Sequence, residues 1–255
     1  MVQTFLDQQN EGLNPRLSSQ PGERIAPGMM LFRPCGDDRA ARPALLYRGL
    51  PSCAPWTRHH GLQRLAECTG RLVFWHDAPE AAAPSGLGWV ARHGRDFGAS
   101  PDRLAVAADG VAAIGLVHEI CARSAPVAPA ALLLVTPVLG PAETFRPQDA
   151  YLEELHAAAL HQANQSVEAC GWPLDLARDQ LRHLPPTLVL TAELDGFRDS
   201  AESFARRLVA IDNDGAAVRF LGVIAHFTWL APLLAAPVSV TAQQAMVAFL
   251  QHVSD

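Results

Sequence analysis

The stretch Leu104-Ala105-Val106-Ala107-Ala108-Asp109-Gly110-Val111-Ala112-Ala113 decides the architecture. An apolar strand runs straight into a tight turn, and a helix of small residues follows at once. A strand covered on both faces reads as a continuous apolar run, because neither side chain row meets water. The same kind of run recurs outward at Met29–Phe32, Ala44–Tyr47, Leu72–Trp75, Ala131–Val135, Thr187–Thr191 and Ala217–Leu221. Between these runs, helical spacing predicts helices over Trp56–Cys68, Gly88–Phe97, Val111–Arg123, Ser200–Ile211 and Thr241–Val253. Asp199 and Ser200 are cap candidates for the fourth of these, and Asn213-Asp214-Gly215 suits the turn after it. Strand and helix in repeated alternation predict an α/β fold, a doubly wound, mostly parallel sheet with right-handed crossovers.

Composition agrees with a single large core. Hydrophobic residues make up 49% of the 255 and charged residues 18%, below the usual share of about 25%, which excludes a disordered chain. The net charge of −6 argues against a nucleic-acid partner, which selects a basic footprint. All 20 basic residues are Arg. Without lysine there is no Schiff base, no pyridoxal phosphate anchor, no Ser–Lys dyad and no Walker-type phosphate loop. Cys35, Cys53, Cys68, Cys121 and Cys170 are scattered without a CxxC pair, as expected of reduced thiols in a cytoplasmic protein. Met1 to Asn10 carries no basic segment followed by an apolar one, in keeping with that location. Prolines interrupt both long uncharged stretches, Ser124–Ala142 and Phe220–Val240, so neither is expected to span a membrane.

Residues 1–27, rich in Gln, Pro and Ser, read as a mobile N-terminal arm. Residues 28–255 read as one domain, with an insertion at about 141–184 that breaks the alternation: an acidic helix around Gln148–Gln165, a Cys170-Gly171-Trp172-Pro173 loop and a short helix. Such an insertion commonly caps the carboxyl edge of the sheet, where ligands bind.

Three places on that edge have the residue types for chemistry. The turn at Gly110 has the setting of a nucleophile elbow, where a strained turn lifts a side chain above the sheet and a helix N-terminus supports an oxyanion. A working elbow reads GxSxG, whereas Ala108-Asp109-Gly110-Val111-Ala112 has Gly at its centre and Ala at both flanks. The run Leu188–Thr191 leads into a loop bearing Asp195, and Ile224-Ala225-His226-Phe227 places a histidine just after the last strand. Gly110, Asp195 and His226 follow the chain order nucleophile position, acid, histidine.

On these residues the chain resembles the hormone-sensitive-lipase branch of the α/β-hydrolases, the bacterial acetyl-esterase type. The resemblance runs from about Met29 to the C-terminus. It is carried by Ala78-Pro79-Glu80, by Ala99-Ser100-Pro101-Asp102-Arg103-Leu104-Ala105-Val106, by Leu184-Pro185-Pro186-Thr187 to Asp195 with Arg198-Asp199, and by Ile224-Ala225-His226-Phe227. It implies the α/β-hydrolase fold, with Asp195 and His226 at the acid and histidine positions. It also defines the departures. The family's GDSAGG elbow becomes Ala108-Asp109-Gly110-Val111-Ala112-Ala113, which maps the serine onto Gly110. Its HGGG oxyanion loop becomes Arg48-Gly49-Leu50-Pro51, and Pro51 has no N–H to donate. With Val111, the residues Arg48, Gly49 and Leu50 form a degenerate oxyanion loop, so a serine-esterase mechanism is not expected.

An Asp195–His226 dyad would remain as a neutral-pH general base. Three functions follow from this pattern. The first is non-hydrolytic proton transfer (elimination, cyclisation or isomerisation) on a small apolar or acyl-type molecule. The second is a non-catalytic pseudo-hydrolase serving as a binding or assembly partner, and the third is weak ester hydrolysis by water activated at His226. Expected partners are therefore a small molecule, with a homodimer or an association with a biosynthetic enzyme left open. Ser85, Ser100, Ser124 and Cys121 lie too far from the strand end to replace the nucleophile. No cofactor and no metal are expected: His156 and His161 point about 140° apart on a helix, and His118-Glu119 lacks the second histidine of a zincin. Arg58, His59 and His60 read as a solvated helix start. Arg48 is expected near the pocket mouth, paired with Asp109 or Asp195 or binding a carboxylate.

Overall fold

The computed structural model describes residues 22–36, 41–49, 55–76, 86–123, 127–142, 150–230 and 233–253. Eight strands, β1 (Glu23–Ala26), β2 (Met29–Phe32), β3 (Arg42–Arg48), β4 (Leu72–His76), β5 (Ala99–Gly110), β6 (Ala131–Pro137), β7 (Thr187–Leu194) and β8 (Ala216–Ile224), form one sheet. Their spatial order is β1-β2-β4-β3-β5-β6-β7-β8. β2 runs antiparallel to both β1 and β4, and the strands from β4 to β8 along the sheet are mutually parallel. β5 is central, flanked by β3 and β6, so its carboxyl end at Gly110 opens onto the middle of the sheet.

Strands β2 to β7 bury alternate residues on opposite faces, which explains their continuous apolar reading; the run Ala217–Leu221, expected to be buried, lies in the edge strand β8 and is largely exposed apart from Phe220. Leu46, Phe74, Val106 and Leu134 face α2 (Gly86–His93), α3 (Ala112–Cys121) and α6 (Arg198–Val209). Their neighbours Leu45, Tyr47, Trp75, Ala105 and Val135 face α1 (Pro55–Thr69) and α7 (Pro237–His252). Two side-chain layers thus bury both surfaces of the sheet.

The insertion between β6 and β7 holds α4 (Ala150–Cys170), a 3₁₀ turn at Pro173–Asp175 and the short α5 (Arg178–Leu181). Ala163 of α4 packs with Val111, Ile114, Val138 and Phe197 at the carboxyl ends of β5, β6 and β7. Three boundaries differ from those expected. Glu23–Ala26, assigned to the arm, pairs with β2 as an edge strand, since its backbone groups find partners there despite its polar residues; residues 1–21 lie outside the described residues, as do Cys53 and Ala78-Pro79-Glu80. α6 starts after Phe197 without a side-chain cap from Asp199 or Ser200, and Ser200 instead donates to the Phe197 carbonyl (2.9 Å). α7 starts a turn earlier than Thr241, because Pro237 suits the first helical position, where no N–H is needed. Among the described residues no helix is long and apolar enough to cross a membrane.

Candidate active site

β5 ends at Gly110, and α3 begins two residues later with Val111 as its N-terminal flank. The Gly110 carbonyl accepts from Val138 N–H (3.0 Å), and the register shifts between Asp109 and Gly110 opposite β6. Gly110 has φ +51°, a left-handed conformation that costs glycine little and other residues about 1 kcal/mol or more. The strand–turn–helix expected from the sequence is present.

His226 lies in the turn after β8. An ideal Cβ at Gly110 would stand 2.9 Å from His226 Cε1 and 3.4 Å from Nε2. The edge of the imidazole therefore faces the elbow closely enough that a Cβ there would require the ring to shift by a small distance. Its backbone is held by two bonds: His226 N–H donates to Thr136 Oγ1 (3.2 Å), and Trp229 N–H donates to the His226 carbonyl (2.9 Å). His226 (φ +61°) and Thr136 (φ +42°) are both left-handed. Backbone strain of about 1–3 kcal/mol per residue is thus concentrated at this junction. Sequence reasoning does not single out Thr136; the one signal is its place at the end of an apolar strand, a residue before Pro137.

The expected Asp195–His226 dyad is not formed. Asp195 Oδ1 accepts from Phe197 N–H (3.0 Å), closing the side-chain-to-backbone turn that Asp readily makes two residues on. No hydrogen bond or ion pair joins Asp195 to His226, and His226 Nδ1 is buried without a hydrogen-bond partner. The Phe197 N–H engages one carboxylate oxygen, and the other makes no bond to His226. Burial pushes the Asp195 carboxyl up to about 7, opposed by the Phe197 N–H and by the Arg198 charge. Burial pushes the His226 imidazole below its ordinary value; Asp109 acts upward on it and Arg58 downward. The ring is accordingly neutral at pH 7.

Asp109 and Arg58, which act on His226, form a buried ion pair at 2.7 Å, with side chains 2% and 1% exposed. Tyr47 Oη donates to Asp109 Oδ2 (3.2 Å). Burial first, and then the Asp109 charge, hold that phenol well above its ordinary range. Gly49 seals the pair from above, where an added Cβ would meet Arg58 Nη1 and Asp109 Oδ1 at 2.7 Å each. The solvated helix start expected at Arg58–His60 is corrected here for its first two residues. Arg58 reaches inward over the Trp75 ring (5.9 Å), and His59 packs edge-on to Trp75 (5.0 Å) and beside Phe32 (5.7 Å). Sequence spacing missed this, because α1 turns that end of its surface onto β2 and β4.

Arg48 pairs with neither Asp109 nor Asp195. It forms a partly buried ion pair with Glu119 of α3 (3.2 Å), while Asp109 is held by Arg58. Leu50 and Pro51 of the degenerate oxyanion loop, and Ser85 and Ser124, lie outside the described residues. Ser100 stands at the far end of β5 from Gly110. Cys121 closes α3, and burial pushes its thiol up to about 12. Among the described residues, no hydroxyl or thiol hydrogen-bonds the His226 ring, and no group of three His, Cys, Asp or Glu side chains is placed to hold a metal. The site brings together Gly110, Val111, His226 and Thr136 above the Asp109–Arg58–Tyr47 cluster, and leaves Asp195 on its own loop.

Comparison with known proteins places this geometry. Residues 64–228 match the family model described as alpha/beta hydrolase fold. An alpha/beta hydrolase of Acanthamoeba polyphaga mimivirus is 37% identical over 65 residues, which are 26% of this chain and only 19% of that protein. A thermostable esterase from Pseudomonas putida superposes with a TM-score of 0.78 at 23% identity, covering 99% of this chain and 89% of that one. A thermophilic carboxylesterase cloned from a metagenomic library gives 0.74 at 24% identity, covering 100% and 98%. A hyperthermophilic esterase from Pyrobaculum calidifontis gives 0.73 at 21%, covering 100% and 94%. With well over half of its length matched by the family model, and with an elbow, acid loop and histidine turn at the carboxyl edge of its sheet, the chain belongs to the alpha/beta hydrolase fold family and resembles the esterases of the hormone-sensitive-lipase type.

Proposed function

We propose that this chain is a pseudo-hydrolase: it uses the hydrolase scaffold to bind a small apolar or acyl-type molecule at the carboxyl edge of the sheet, without an acyl-enzyme step. One observation carries the reading. Gly110 offers no nucleophile to the His226 ring that stands beside it, and that ring has no carboxylate on Nδ1. A serine mechanism needs the nucleophile, a histidine that removes its proton and a carboxylate that stabilises the imidazolium. Losing the triad costs about 10⁶ in turnover and leaves ~10³–10⁴ over water from binding and the remaining donors. The side chains around it are apolar: Val111, Val138 and Phe197 form a buried cluster with Trp172 and Leu160 packed against it.

The test is hydrolysis of p-nitrophenyl acetate and butyrate by the whole chain beside His226→Ala. The reading expects both proteins to give the same slow rate, while ethyl butyrate perturbs the NMR signals of Val111 and Val138. Turnover that disappears in His226→Ala would overturn it and establish ester hydrolysis through His-activated water. The concentration of left-handed backbone at Thr136 and His226 favours one second reading, because strain of this kind collects at working sites. In it His226 alone moves a proton on a bound molecule. A proton-exchange rate on the bound ligand that rises with pH below about 6.5 and is lost in His226→Ala identifies that case.

A further inference from the structure

His226 starts far from Gly110. Its strand, β8, lies three places from β5 along the sheet, a lateral distance of about 14 Å at ~4.8 Å per strand. The last paired residue of β8 is Ile224, opposite Leu194, and the chain from there to His226 spans at most ~7 Å. The turn is therefore drawn back over the ends of β7 and β6. Both strands are irregular where it crosses. In β6, Val135 pairs with Asp109 and Pro137 with Gly110, so Thr136 is an extra residue without a partner on β5. A bulge of this kind re-aims a side chain, and Thr136 Oγ1 accepts from His226 N–H (3.2 Å). In β7, Ala192 pairs with Phe220 and Leu194 with Ile224, so Glu193 alone stands opposite residues 221–223. Its Oε2 accepts from Gly222 N–H (2.7 Å), and Gly222 is left-handed at φ +69°.

Thr136 keeps its conformation against its local preferences. A β-branched residue at φ +42° is an outlier, and the proline that follows favours an extended backbone instead. Strain of this kind persists only where the surrounding structure fixes it. Thr136 is 2% exposed, and among the described residues its side chain has no hydrogen bond except the one to His226 N–H. We infer that Thr136 is the positioning residue of the Gly110 site: the bulge in β6 turns its hydroxyl onto the His226 turn and holds the imidazole edge against Gly110. Glu193 secures the β8 side of the same turn at Gly222. This role rests on the reading of the carboxyl edge as the guest's place, since Thr136 acts only through the His226 ring.

Two substitutions separate the hydroxyl from the backbone. Thr136→Gly removes the hydroxyl and relieves the left-handed strain, so the chain is expected to fold; Thr136→Ser keeps the hydroxyl. NMR of the unliganded full chain reads the clasp in two signals. One is the nuclear Overhauser effect between the His226 Cε1 proton and the Gly110 Hα protons; the other is the exchange rate of the His226 amide. Thr136→Gly is expected to lose the first and to raise the second about tenfold, in line with one lost hydrogen bond, with the far-ultraviolet circular dichroism unchanged. Thr136→Ser is expected to keep both signals as in the wild type. Both signals intact in Thr136→Gly, both lost in Thr136→Ser, or a Thr136→Gly chain that does not fold would each overturn the inference, the last by making Thr136 a residue of the fold and not of the site. All of these are read without a ligand. Ethyl butyrate that leaves Val111 and Val138 unperturbed while the clasp behaves as expected would defeat the proposed function alone.

Discussion

The Asp109–Arg58 pair is the sharpest place to perturb this protein. The two groups meet at 2.7 Å with almost no exposure. Each has lost its water, and the pair is tolerated because each neutralises the other. Arg58→Met keeps the aliphatic packing over Trp75 and removes the charge. Asp109 is then a buried anion with Tyr47 Oη, at 3.2 Å, as its remaining described side-chain donor. Breaking such a pair from one side costs about 3–5 kcal/mol, a large part of the ~5–15 kcal/mol that holds a typical domain together. The double variant Arg58→Met/Asp109→Asn leaves no buried charge, and its cost is expected to be well below that of Arg58→Met alone. Urea unfolding followed by far-ultraviolet circular dichroism measures both. The same variants report on the histidine, because Arg58 acts downward and Asp109 upward on the His226 imidazole. In Arg58→Met its Cε1–H NMR titration should move to higher pH, and in the double variant it should fall back. A loss under about 1 kcal/mol for Arg58→Met, or a double variant as costly as the two single changes added, would refute the buried-pair argument.

Other consequences are open to simpler measurements. Asp195 is raised from 3.8 to about 7 in the folded chain, so the native state holds its proton more tightly than the unfolded state. Its contribution to stability is therefore lost as pH rises from about 4 through 7, by roughly 4 kcal/mol when complete. Asp195→Asn, which retains the acceptor for Phe197 N–H, should be more stable than wild type at pH 8 and lose that advantage near pH 4; equal melting curves at both pH values would contradict this. Gly110→Ser should fail to create p-nitrophenyl acetate turnover, because its Cβ crowds the His226 ring and no carboxylate holds Nδ1; a burst of p-nitrophenol in that variant would refute the argument. Cys35, Cys68 and Cys170 are exposed, while Cys121 is buried with its thiol pushed up to about 12. Iodoacetamide at pH 8 should label the first three and spare Cys121 until urea is added; early labelling of Cys121 would show that α3 opens locally.

The pattern of apolar residues along this chain was enough to specify the strands of the sheet apart from the polar edge strand β1. Runs such as Leu45-Leu46-Tyr47 and Leu132-Leu133-Leu134 are buried on both faces, and a run of that kind has one stable setting, between two layers of helices. The elbow was legible for the same reason: a strand that stops at Asp109-Gly110 and restarts as a helix can do so only through a tight turn. Position in the chain also brought His226 to Gly110, because parallel strands deliver their following loops to one edge. Charge partners were a different matter. Arg58 meets Asp109 across 51 residues and Arg48 meets Glu119 across 71, and nothing in local spacing ranks such pairs above their rivals. Asp195 accepts from an N–H two residues ahead and makes no bond to the imidazole of the distant loop, an outcome local spacing does not fix. Local periodicity thus determined which elements form and in what layers, because burial of a side chain depends mainly on its own chemistry. The tertiary structure alone decided which polar groups meet, because a hydrogen bond or ion pair depends on distances of a few tenths of an ångström between segments far apart in the chain.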